Sequence, residues 1–170
     1  MNIEVRQITV GSSHWRQYKA WRDQYIGVNP SDEPQYERLE DLRDACSFQM
    51  GFYADGALVG GVRLTPLGHG LTLGESLSLL PASWQSMRRY FDVNRLVVAE
   101  QVRGSSIFLA GLIKSFSSVA ARSAAKGYIA LCSPKLVPVY ERVGATLLAD
   151  ELACPTIKGK VFSLIKLDLT

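Results

Sequence analysis

Histidine and cysteine are scarce in this chain, with 2 and 3 among its 170 residues. Cys46, Cys132 and Cys154 form an odd set at wide spacing. That excludes a closed disulfide framework and every short-spaced Cys/His pattern for a metal. Charge runs are missing as well. No Lys/Arg run exceeds two residues, and the formal net charge is only +3. A nucleic-acid partner is therefore excluded, since it requires a concentrated basic footprint. An acidic protein or a phosphorylated small molecule remains compatible. An uninterrupted apolar span is also lacking. The most apolar segment, Ile107 to Ala125, carries Lys114, Arg122 and several serines, so it reads as a core helix and no membrane span is expected. The opening MNIEVRQITV is too polar for a signal peptide. With no repeat, low-complexity tract or linker, the expectation is one cytoplasmic domain over residues 1–170.

What is present is an alternation of strand and helix patterns. Ile3 to Val10 reads as a strand. Ser12 or Ser13 then caps a helix with Trp15, Tyr18, Trp21 and Tyr25 at helical spacing. The segment PQYERLEDLRDAC places Tyr36, Leu39, Leu42 and Cys46 on one stripe. Phe48 to Tyr53 and Leu58 to Leu64 flank ADGA, a hairpin signal. SWQSMRRYF suits a short helix, Asp92 to Ala99 a buried strand, and Ser105 to Lys126 a helix stopped by Gly127. YIALCS is a further strand, PKLVPVYERVG a helix ending at Gly144, and Thr146 to Ala149 with Lys160 to Leu169 a closing antiparallel pair. The order β-α-(α)-β-β-β-α-β-α-β-β implies a mixed α/β sheet. Only the strand-helix-strand unit over residues 92 to 133 requires a parallel neighbour.

The junction LVVAEQVRGSS ends that strand on a polar turn and passes directly into a helix. A helix start exposes unpartnered N–H groups at the positive end of its dipole, where phosphate oxygens fit. Gly104 lets a ligand approach the backbone, Ser105 and Ser106 are small and add hydroxyls, and Arg103 adds charge. Neither G-x-x-x-x-G-K-[ST] nor G-x-G-x-x-G occurs. The plain alternative is a tight turn with a capping serine.

QVRGSS resembles the Q/R-x-x-G-x-G/A motif of the GNAT acyltransferase superfamily, with Ser106 at the last small position. The resemblance implies a mostly antiparallel mixed sheet whose central parallel strands splay apart, with helices on both faces. It implies that Gln101, Val102, Arg103, Gly104, Ser105 and Ser106 hold the pyrophosphate of coenzyme A or the phosphopantetheine of an acyl carrier protein. It also implies that the backbone of Leu96, Val97 and Val98 pairs with the pantetheine arm. SPKLVPVYERVGA is similar to the superfamily's N-x-x-A-x-x-x-Y-x-x-x-G-F segment: Ser133 replaces Asn, Tyr140 matches the tyrosine and Ala145 replaces Phe. A phenol with a pKa of about 10 can donate to a departing thiolate. The plain alternative for Tyr140 is packing beneath its helix.

GVRLTPLGHGLTLGESLSLLP followed by DVNRLVV resembles the acyl-homoserine-lactone (autoinducer) synthases and the long-chain N-acyl amino acid synthases. Arg63 and Arg95 match that branch's arginines, Asp92 stands at its glutamate and Asn94 at its serine. Arg22 with Asp41-x-x-Asp44 echoes its N-terminal arginine and D-x-x-D. The branch's aromatic pair between these is missing. Physically, Arg22, Asp41, Asp44, Arg63, Asp92 and Arg95 suit an alternating ion-pair network. Its carboxylates hold and deprotonate an acceptor ammonium and its arginines clamp an acceptor carboxylate. The plain alternative is a surface network positioning the N-terminal helices. The apolar stretch with Leu71, Leu73, Leu77, Leu79, Leu80, Trp84 and Met87 lies where the resembling families house the acyl chain. Each buried CH₂ there is worth about 0.8 kcal/mol. His69 reads as a surface loop residue, and an acyl-Cys132 step is unnecessary for direct transfer.

The expected activity is N-acyl transfer from acyl-CoA or acyl carrier protein to the amine of an amino acid or its derivative, without a metal. Asp92, Arg95 and Tyr140 are the expected catalytic residues. The alternatives are an acetyl-CoA-dependent small-molecule acetyltransferase and a degenerate module that binds an acyl thioester without turnover.

Overall fold

The computed structural model describes residues 2–26, 42–67, 87, 89–103, 106–153, 159 and 161–169. Asp41, Leu77, Trp84, Gly104 and Ser105 lie outside the described residues, as do His69, Leu71, Leu73, Leu79, Leu80 and Cys154. The elements run β1 (Ile3–Gln7), α1 (Ser13–Ile26), β2 (Phe48–Ala54), β3 (Ala57–Pro66), β4 (Tyr90–Val98), α2 (Ile107–Ala120), β5 (Gly127–Cys132), α3 (Val137–Glu141), β6 (Thr146–Ala153) and β7 (Val161–Asp168). The strands hydrogen-bond in the order β1-β2-β3-β4-β5-β7-β6. The β4–β5 pair is parallel, and its register covers Tyr90↔Gly127, Phe91↔Tyr128 and Asp92↔Ile129. The β1–β2, β2–β3, β5–β7 and β6–β7 pairs are antiparallel. This is the mixed, mostly antiparallel sheet that the motifs imply.

The chain forms two compact units, one of residues 1–64 and 95–123, the other of residues 65–94 and 124–170. In the first, β2 and β3 close on Asp55 (φ +48°) and Gly56 (φ +82°), the two left-handed residues a type I′ hairpin turn requires. Its strands carry a helix on each face, because successive strand residues point to opposite sides. Tyr53 joins Ile8, Trp15, Tyr18, Leu58 and Val97 in a core built on α1. Phe52 instead lies against Gly111 of α2, where an added Cβ would fall 2.6 Å from its ring. Ser12 accepts a hydrogen bond from the Trp15 amide at 3.1 Å, the expected helix cap. In the second unit, Leu67, Met87, Ile129 and Leu164 form the apolar cluster, and Phe91 tilts against Tyr128.

Several boundaries differ from the sequence reading. β1 ends at Gln7. Tyr90 and Phe91 belong to β4 and not to a helix, because Leu67 donates to the Tyr90 carbonyl and Lys126 to that of Arg89, which draws this backbone into the sheet. Helix α2 stops at Ala120, and Gly127 opens β5. Side chains close that helix end: Arg122 Nε donates to the Ser118 carbonyl at 3.0 Å and Ser123 Oγ to that of Val119 at 2.8 Å. The segment after β5 splits into a 3-10 turn, Pro134–Leu136, and α3, since Pro134 and Pro138 both lack a donor.

Candidate active site

Beyond Asp92↔Ile129 the parallel ladder ends, although β4 runs on to Val98 and β5 to Cys132. The second half of β4 is irregular. Arg95 has φ +54°, a left-handed conformation that costs a non-glycine residue about 1–3 kcal/mol and persists only where neighbours enforce it. One enforcing contact is Tyr18 of α1, whose hydroxyl donates to the Arg95 carbonyl at 2.7 Å. Tyr18 is fully buried. Burial pushes its phenol well above the usual range, with Asp44 adding to the rise and Arg22, Arg63 and Arg95 opposing it, so it remains a proton-bearing donor. After Val98 the chain enters a 3-10 turn, Glu100–Val102, which leads toward the expected phosphate loop. Gln101 and Arg103 are exposed, and Val102 is half-buried. Ser106 precedes α2, where its carbonyl accepts the Ala110 amide at 3.0 Å and its side chain makes no capping bond.

The same unit holds a buried charge cluster. Asp44 Oδ1 accepts from Arg22 at 2.9 Å and from Arg63 at 2.8 Å, with side-chain exposures of 3% for Arg22, 0% for Arg63 and 2% for Asp44. Gln49 Nε2 donates to the Asp44 carbonyl at 3.1 Å and to Oδ1 at 3.4 Å. Asp44 Oδ2 and Gln49 Oε1 are buried without a hydrogen-bond partner among the described residues. The Arg22 guanidinium sits 5.5 Å from the ring centroids of both Trp15 and Tyr18. Three of the six charges expected to act together thus meet here. They are sequestered from water, which a surface network would not be, and deleting one partner of such a pair typically costs about 3–5 kcal/mol. Gln49 and Tyr18 were missed as functional candidates in sequence. The signal for Gln49 was a lone amide inside an apolar strand. Tyr18 read only as one aromatic of a core stripe.

In the second unit Asp92 is buried. Asn94 Nδ2 donates to its Oδ2 at 2.9 Å and to its carbonyl at 3.2 Å, and reaches Thr65 Oγ1 at 3.2 Å. Asn94, at the position of the family's serine, therefore holds this carboxylate in place. Ser133 is exposed and precedes the 3-10 turn, its carbonyl accepting the Leu136 amide at 2.8 Å. Tyr140 is buried on α3. Desolvation, with a smaller contribution from Cys132, pushes its pKa up to about 12, so it carries its proton at neutral pH. Burial, with Asp150 adding to it, pushes the Cys132 thiol up to about 11. A thiol held protonated is a poor nucleophile, which fits direct transfer. Among the described residues no group of His, Cys, Asp or Glu is arranged to hold a metal, and no helix is long and apolar enough to cross a membrane.

Comparison with known proteins agrees with this architecture. The structure of FeeM, an N-acyl amino acid synthase from uncultured soil microbes, is similar at 13% identity and a TM-score of 0.71, covering 98% of this chain and 91% of that one. An IAA acetyltransferase from Bacillus cereus is similar at 10% identity and a TM-score of 0.66, covering 99% of this chain and 100% of the other. A GNAT-family acetyltransferase from Staphylococcus aureus is similar at 13% identity and a TM-score of 0.62, covering 99% and 100%. At these identities the likeness concerns the fold. No protein of curated function matches by sequence. The model of the N-acyl amino acid synthase FeeM family matches residues 15–168, nearly the whole chain. The chain belongs to the N-acyl amino acid synthase FeeM family and is an acyltransferase of the GNAT superfamily.

Proposed function

We propose that this acyltransferase takes a long-chain acyl group from acyl-CoA or from the phosphopantetheine of an acyl carrier protein and delivers it to the amine of an amino acid, acting in the cytoplasm as a single domain over residues 1–170. The observation that carries the reading is the early end of the parallel β4–β5 ladder at Asp92↔Ile129, on the residue proposed as base, in a chain whose family makes N-acyl amino acids. The thioester's pantetheine arm runs along the backbone of Leu96, Val97 and Val98. Its phosphate end is held by the 101–106 turn, including Gly104 and Ser105, and by Ser133. β4 amides polarise the thioester carbonyl. Asp92, oriented by Asn94, takes the amine proton directly or through water. The amine attacks the carbonyl carbon, the C–S bond breaks, and Tyr140 protonates the departing thiolate.

The acceptor side is built on Arg22, Asp41, Asp44 and Arg63, with Arg95 completing the charge at the reacting group. Among the three described members two guanidiniums share one carboxylate oxygen, and guanidiniums are the side chains suited to clamp an acceptor carboxylate. The open oxygens of Asp44 and Gln49 suit an ammonium donor. The segment containing Leu77 and Trp84 takes the acyl chain.

The test is a panel of acetyl-, octanoyl- and palmitoyl-thioesters, each as coenzyme A and as carrier-protein conjugates, offered with mixed amino acids. Thiol release and product mass are recorded. Long-chain N-acyl amino acids are expected. Exclusive use of acetyl-CoA would replace this reading with that of a small-molecule acetyltransferase.

A further inference from the structure

Tyr18 makes a contact that its place in a core stripe does not require. A residue of α1 spans 77 positions of sequence to donate its hydroxyl to one particular carbonyl, that of Arg95, at 2.7 Å. Arg95 is the left-handed residue of β4, and Asp55 and Glu151 are the other described non-glycine residues with positive φ. Asp55 lies in a hairpin turn, where such a conformation is ordinary. Within a strand it interrupts the pleat and re-aims the amides that follow. We propose that Tyr18 is a positioning residue for acyl transfer, its hydroxyl holding the Arg95 kink that directs the next β4 amides at the thioester carbonyl. This rests on the functional reading above, in which those amides polarise the carbonyl.

The phenol is held as a rigid support must be. Its ring is fully buried and meets Trp15 edge-on at 5.9 Å between centroids. Its slot exists because position 61 is glycine: a Cβ there would fall 3.0 Å from the Tyr18 ring and 2.9 Å from the Met50 carbonyl. Arg22 lies 5.5 Å from the ring centroid while bonding Asp44, which also bonds Arg63. One side chain thus contacts both the charge cluster proposed for the acceptor and the strand proposed for the donor. Its burial keeps the hydroxyl protonated through the neutral range.

Tyr18→Phe keeps the ring and removes the bond. With the purified full chain, two quantities are measured: steady-state kinetics with palmitoyl-CoA and amino acids, and amide hydrogen exchange of peptides covering 92–99. The expected result is a 10- to 100-fold fall in kcat with the KM for the amine within threefold, and at least tenfold faster exchange in residues 95–98. A role confined to stability predicts a lower melting midpoint with kcat of the folded enzyme unchanged, and that result overturns the proposal. Unchanged exchange overturns it equally. Should the wild-type protein transfer no acyl group to any amine, the functional reading fails on its own, and the exchange comparison still decides whether Tyr18 holds the β4 kink.

Discussion

Two charge groups of the chain, one in each unit, sit in opposite surroundings. The unit of residues 1–64 and 95–123 encloses an Arg22–Asp44–Arg63 cluster at 0–3% side-chain exposure. The unit of residues 65–94 and 124–170 carries an ion pair at its surface, Lys166 Nζ to Asp168 Oδ2 at 2.8 Å with exposures of 24% and 52%, to which Tyr90 adds a hydrogen bond. In sequence the members of the cluster lie 22 and 19 residues apart, whereas the surface pair is two residues apart. They differ in solvent. Water screens the surface pair, so it is worth about 0–1 kcal/mol. The buried cluster has lost hydration that its hydrogen bonds and ion pairs must replace. An apolar trio of similar volume would fold as well, so stability does not account for the cluster, and placement of a reacting group is the role proposed for it.

The sharpest way to break this contrast is to delete Asp44. Asp44→Ala removes the carboxylate that two buried guanidiniums share and is expected to cost about 3–5 kcal/mol, a fall in melting midpoint of roughly 10 °C by calorimetry. Asp168→Asn, its surface counterpart, is expected to cost less than about 1 kcal/mol in the same instrument. Equal losses would erase the distinction between the buried cluster and the surface pair. Next in size is Tyr140→Phe, expected to lower kcat about 100-fold while leaving the midpoint nearly unchanged. An unaltered kcat would return Tyr140 to a packing role.

Alkaline pH sharpens the comparison because both units bury phenols. Desolvation raises Tyr128 and Tyr140 to about 12 and drives Tyr18 upward as well. The unfolded chain's tyrosines titrate near 10. Each folded pKa therefore lies above its unfolded value, so the stability is fully present below pH 10 and is lost as pH rises toward 12. Urea midpoints at pH 8, 10 and 11 are expected to fall across the lower interval through the buried Cys132 thiol alone and more steeply, for each pH step, across the upper one, where the phenols join it. A flat profile would mean that these hydroxyls are hydrated. The smallest effect is expected for Cys132→Ala, with kcat within threefold of wild type. A large loss would revive an acyl-cysteine step.

Much of this architecture was legible in the residues, for reasons that vary by position. Asp55-Gly56 dictates its turn through φ alone, and Asp92 to Ala99 reads as a strand because Val93 and the run Leu96 to Ala99 are apolar, although Asn94 and Arg95 interrupt it. The ends of α2 and β4 were not legible. They are set by Arg122, Ser123 and the Leu67–Tyr90 backbone bond, contacts made in the folded chain. At the site, spacing to a known motif singled out Arg22, Asp44, Arg63 and Asp92. It did not show that Arg22, Asp44 and Arg63 are enclosed, nor that Asn94 orients Asp92. Tyr18 and Gln49 escaped because their roles depend on what they face: a strand carbonyl 77 residues away and a carboxylate in the same cluster.

The central claim is transfer of an acyl group from a thioester to an amino-acid nitrogen at β4. Single-turnover mixing of the protein with palmitoyl-thioester and a nitrogen-15-labelled amino acid mixture, read by mass spectrometry, tests it most directly. One N-acyl amino acid bearing the label should appear for each free thiol released. Thiol released without labelled amide, or no thiol at all, would contradict the account.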